Sequence, residues 1–238
     1  MNIDLQRLEE FRRGIIGHGQ HGADSPIRCV MEWGAYLAGE THSDRPACVD
    51  PGVDRLMIRW NDAIPQTSEG DAMRKDVFTA ELLLRVLGSR GSDELARKRA
   101  WAAADFAVRT LAAESMERAK LDVQAAALRG FGPLVDAASW YAVREQVKGI
   151  KSDARREASE RWTDAADAAA AADAAVAADA DAAAAAAAAA DAAADAAAAA
   201  AAAFYWRLWA SRRSRPAYWT RYNATMLRMV EAMLAAVE

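Results

Sequence analysis

The sequence predicts an all-α fold, a helical bundle followed by a long alanine-rich helix and a C-terminal amphipathic helix. Three observations carry this. Apolar residues recur at helical spacing between cap signals. No segment sustains the period-2 alternation of β-branched residues that marks a strand, so no sheet is expected. From Lys151 to Arg215 there is neither Gly nor Pro, the best helix-forming composition in the chain.

Asp24-Ser25-Pro26 reads as a helix start, with Ser25 as N-cap and Pro26 at N1. Cys29, Glu32, Trp33 and Tyr36 then share one helical face, and Gly39 is a stop signal. Residues 40–49 form a polar loop. Asp50-Pro51 opens the next helix, whose Val53, Leu56, Met57, Trp60 and Ile64 form an amphipathic stripe ended by Pro65. One helix is expected over Asp71–Leu87, broken by Gly88-Ser89-Arg90-Gly91. Ser92 caps another, with Asp93 and Glu94 in its first turn facing the positive end of the helix dipole, reaching toward Leu128. A further helix is expected from Leu134 to Val147, and the tail from Pro216 to Glu238 carries Met226, Met229, Val230, Met233 and Leu234 on an apolar face. These elements group into a helical domain over residues 1–150 and an extension over 151–238.

Composition narrows the function classes. Hydrophobic residues make up 53% of 238, yet residues 164–203 hold 32 alanines, seven aspartates and one valine. Alanine has little apolar area, so this tract adds little to a core. Its aspartates scatter around a helix and leave no flat face; an ice-binding role is excluded, and a solvated spacer or a loosely packed arm remains. Net charge is −4, giving no global case for nucleic acid. The N-terminus lacks the basic and apolar regions of a signal peptide. The longest apolar run, Ala196 to Trp206, is well short of a membrane span. A cytoplasmic protein is expected, in which two cysteines remain thiols or ligands.

Every His and Cys falls between positions 18 and 48: His18, His21, Cys29, His42 and Cys48. Two thiolates and one or two imidazoles suit tetrahedral zinc, so Cys29, His42, Cys48 and His21 form the candidate metal set, without the spacing of a recognised finger. On such a metal, Glu32 could serve as general base to a bound water, which defines a hydrolase alternative. The competing reading is structural: Cys29 as a small buried hydrophobe, His42 hydrogen-bonded within its loop, or a Cys29–Cys48 disulfide. Phe204-Tyr-Trp-Arg-Leu-Trp209, with Arg212, Arg213, Arg215, Tyr218, Trp219, Arg221 and Tyr222, interleaves rings and guanidinium groups. Such a segment docks on a bundle or a protein partner, or stacks on nucleic acid across residues 204–222.

The segment from Cys29 to Cys48 resembles a block, C-x-M-E-x-x-A-Y-x-A-G-E-x-x-S-D-x-P-x-C, of an uncharacterised family of actinobacterial and actinophage proteins. Trp60-Asn61-Asp62 and, loosely, Val86-Leu87-Gly88-Ser89 extend the likeness, as does the alanine-rich region. Relatives often carry His where this chain has Arg45, which leaves His42 as the loop's imidazole. The resemblance implies a helical fold and no established activity. The leading expectation is a non-enzymatic structural or interaction protein that associates with a protein partner or with itself.

Overall fold

The computed structural model describes residues 4–118, 120–161 and 216–236. The described residues form an all-α fold with one two-stranded sheet of two residues per strand. The alanine tract and residues 204–215, on which the long-helix and ring–arginine expectations fall, lie outside them. The chain divides into two compact units, Met1–Ser92 and Asp93–Glu238. The division lies inside the segment that the sequence assigns to one domain.

In the first unit, α1 (Leu5–Arg13) starts where the Asp4 side chain accepts from Gln6 N. Its C-terminal end is closed by the Lys75 ammonium, which donates to Phe11 O at 3.0 Å and Gly14 O at 2.5 Å. The strands β1 (Ile15–Ile16) and β2 (Ile27–Arg28) pair in parallel. Two residues per strand are too few for alternation to show, which is why no sheet was expected from the sequence. Ser25-Pro26 does not start a helix. The Ser25 hydroxyl accepts from Ile27 N and leads into β2. The helix α2 (Val30–Ala38) begins four residues later than Pro26, with Cys29 as N-cap, and ends at Gly39 in the left-handed conformation (φ 75°).

Helix α3 (Pro51–Ala63) follows the expected cap: the Asp50 carboxylate accepts from Gly52 N and Val53 N. Its stripe of Val53, Leu56, Met57 and Trp60, continued by Ile64, is buried throughout. The expected Asp71–Leu87 helix is two helices, α4 (Ser68–Val77) and α5 (Ala80–Val86). Phe78 turns out of helix and is fully buried, and the Thr79 hydroxyl caps α5 by accepting from Leu82 N. Edge-on ring pairs, Phe11–Trp33 and Trp60–Phe78, knit this core. Arg74 is buried beneath the end of α3. It donates to the carbonyls of Asn61, Ile64 and Pro65 and pairs with Asp71.

In the second unit, α6 (Asp93–Asp105) passes into a π-helical segment (Phe106–Ala112) and then α7 (Ala113–Arg118). Lys120, at φ 62°, breaks the path before α8 (Asp122–Gly130). The helix expected to end near Val147 runs on as α9 (Ala137–Arg161). Val108, Ala112, Ala113, Met116, Leu121, Ala125, Leu128, Trp140, Val147 and Ala154 bury together. The last helix, α10 (Pro216–Ala235), packs on α6 and the π-helical segment. It buries Tyr222, Met226, Met229, Val230 and Met233, so the expected apolar face is present and covered. No helix of the described residues is long and apolar enough to cross a membrane.

Candidate functional site

The polar centre of the first unit is built on the N-terminus of α2. An unsatisfied helix N-terminus offers N–H donors, and here two residues satisfy them reciprocally. Cys29 Sγ accepts from Glu32 N at 3.4 Å, and Glu32 Oε2 accepts from Cys29 N at 2.7 Å. This is a capping box with cysteine in the place usually held by Ser or Thr. Glu32 is fully buried. Its carboxylate therefore needs donors on both oxygens. His21 supplies two: its backbone N–H to Oε1 at 2.7 Å and its ring Nδ1 to Oε2 at 3.0 Å. His42 Nε2 lies 3.7 Å from Oε1 and donates to the His21 carbonyl at 2.9 Å. Since a carbonyl only accepts, His42 carries its proton on Nε2 in this arrangement.

The loop that delivers His21 is held from α3. Asn61 Nδ2 donates to Gly17 O at 2.9 Å, and Asp62 Oδ1 accepts from Gly19 N at 3.0 Å. Gly17 N continues the strand pairing by donating to Arg28 O. A Cβ at Gly17 would come within 2.3 Å of Ile27 Cγ2 and 2.8 Å of His21 Nε2, so only glycine lets the His21 ring pack there. The loop that delivers His42 is closed by Glu40, whose carboxylate accepts from Ala47 N at 2.5 Å and Cys48 N at 2.9 Å. The Cys48 carbonyl accepts in turn from Arg90 N, and Ser89 Oγ accepts from Asp50 N, so the turn after α5 fixes the loop's far end.

Of the candidate metal set, the structure thus brings Cys29, His21 and His42 around one carboxylate, while Cys48 joins a different one, that of Glu40. Among the described residues, no group of three or more His, Cys, Asp or Glu side chains is arranged to hold a metal ion. Both thiols are free. Burial, with the Glu32 charge adding to it, pushes the Cys29 thiol up to about 12. Burial and a hydrogen bond to Glu40 raise that of half-buried Cys48. A protonated thiol is a weak nucleophile and a poor metal ligand. His18 is half-buried and takes no part in these hydrogen bonds.

Sequence reasoning did not find Asn61 and Asp62 as the supports of the His21 loop, nor Glu40 as the clamp of the Cys48 loop. The signals were a Trp-Asn-Asp run at the end of an amphipathic stripe and a carboxylate directly after a helix-ending glycine. Comparison with protein-family models, with curated proteins and with solved structures finds no match.

Proposed function

We propose that the chain is a non-enzymatic structural or interaction protein whose Cys/His block is a hydrogen-bonded knot. The observation that carries this reading is that Glu32 is fully buried with both oxygens engaged by the protein's own N–H groups. Its two buried oxygens take three N–H donors, from Cys29 and from His21 twice, with His42 alongside. A general base must instead have an oxygen available to the proton it removes. The knot ties the start of α2 to the loops on either side of it. A reducing, cytoplasmic setting, in which both cysteines stay thiols, belongs to this reading. The partner would be another protein or a second copy of the chain.

Elemental analysis of the purified full chain tests this against the hydrolase alternative. The expected result is no stoichiometric metal. A stoichiometric ion lost on Cys29→Ala or His42→Ala would overturn it. Nucleic-acid binding through residues 204–222 would show as an A260/A280 ratio that falls in high salt. The described part of that segment favours docking instead, since Tyr222 is buried and faces Trp219 edge-on.

A further inference from the structure

Helix α10 lies on α6 and the π-helical segment, yet the 54 residues of 162–215 separate it from the end of α9. Its packed face is Tyr222, Met226, Met229, Val230 and Met233, at i, i+4, i+7, i+8 and i+11, each no more than 1% exposed. Helix α6, on which it packs, buries Ala100, Ala103 and Ala104, small side chains that let two helices approach closely. At the rim, Arg228 Nη2 donates to Glu114 Oε1 at 2.9 Å and Oε2 at 3.1 Å. The same guanidinium lies over the Phe106 ring, 5.7 Å from its centroid. The helix and its groove are therefore matched both in apolar pattern and in charge.

These contacts are the same whether the helix comes from its own chain or from a second copy; the connection decides which. Helix α9 continues to Arg161, directly before the connection. Residues 162–215 contain no Gly, Pro or Asn to stop a helix or set a turn, and the 32 alanines of 164–203 favour continuation. A helix carried through all of them would span about 80 Å, against a radius of gyration of about 13 Å for a domain of about 100 residues. It would take α10 out of reach of its own groove and leave that groove bare. We propose that two copies of the chain exchange α10, each helix lying on the other copy's α6, with each Arg228 paired to the partner's Glu114. Reciprocal exchange of an identical element closes the pair with two-fold symmetry and leaves neither groove open. This rests on the reading of the chain as an interaction protein and names its partner as a second copy; metal analysis tests that reading, and the mixing experiment below tests the exchange.

Light scattering on the full wild-type chain should give twice the chain mass across the micromolar range. Two full-length variants then reverse the ion pair, Arg228→Glu in one and Glu114→Arg in the other, at side chains 48% and 26% exposed, where the fold tolerates the change. Each variant alone sets like charges together, whether its helix docks in its own chain or in a copy of itself. Unfolded in urea and refolded as a mixture, the two variants regain opposite-charge pairs only in a mixed dimer with exchanged helices. Intact-complex mass spectrometry separates that dimer from the two homodimers. The mixed dimer should exceed its statistical share by on the order of fivefold, since two ion pairs are regained at once, and the excess should shrink after refolding in high salt. A monomeric wild-type chain overturns the proposal. A dimer whose variants mix statistically overturns it as well, because α10 is then not the exchanged element.

Discussion

The two units reach stability by different means. The first is held by a few specific polar bonds: Glu32 with His21 and Cys29, Arg74 with three carbonyls, Lys75 with the end of α1. The second relies on apolar packing, with leucines, valines and Trp140 set among alanines and methionines, across α6, α7, α8, α9 and α10. A bonded knot is specific and brittle, because removing one partner strands the others without water. An apolar helical core is more tolerant, because neighbouring side chains can partly close a gap. A protein that must hold two loops in one place gains from the first kind of interior. A helical support does well with the second.

The difference can be broken most sharply at Glu32. Glu32→Ala leaves the N–H groups of His21 and Cys29 buried without an acceptor, and we expect a loss of about 3–5 kcal/mol in urea unfolding. Exchange protection should fall in residues 4–92. Met229→Ala, at a fully buried position of α10, should cost about 2–4 kcal/mol, with its loss of protection in the second unit. Similar losses with exchange spread over the whole chain would show that the units do not differ in this way.

Asp54 sharpens the comparison by pH. It is buried in the first turn of α3, and that burial raises it to about 7, so its contribution is present in acid and lost as pH rises toward about 7. Asp54→Asn should therefore be the more stable form at pH above about 8, by on the order of 1–3 kcal/mol, and equal to wild type near pH 4. Thermal unfolding of both forms across that range gives the answer, and a constant difference would contradict the expectation. Smaller effects follow. Thr79→Ala removes the cap that begins α5 and should cost about 1 kcal/mol by chemical denaturation. Removing the exposed Arg129–Glu117 pair in the second unit should change stability by no more than about 0.5 kcal/mol.

The sequence made the helical character legible where one residue pattern and one physical cause coincide. The α3 stripe is such a case: a 3.6-residue period, an Asp-Pro start and a Pro stop all agree, and every stripe residue is buried. The start of α2 was misplaced because Ser25-Pro26 has the stronger local signal, whereas cysteine is seldom an N-cap. The reciprocal signal, Glu32 three residues on, was present and outweighed. The break between α4 and α5 has no Gly or Pro to announce it; it follows from burying Phe78 and from the Thr79 cap. Of the site, the sequence indicated the members His21, Cys29, Glu32 and His42 but not that the others gather around Glu32. Glu32 is the centre because Asn61 and Asp62, some forty residues beyond the 17–19 loop, hold that loop over α2. Tertiary contacts of that kind leave no periodicity behind.

Whether Glu32 and His21 form a structural bond or parts of a reaction centre is decided by a double-mutant cycle. Glu32→Gln, His21→Ala and the pair are compared by urea unfolding of the full chain. A coupling of about 1.5–3 kcal/mol is expected, as for a buried hydrogen bond to a charged group. A coupling below about 0.5 kcal/mol, with each single variant as stable as wild type, would contradict it.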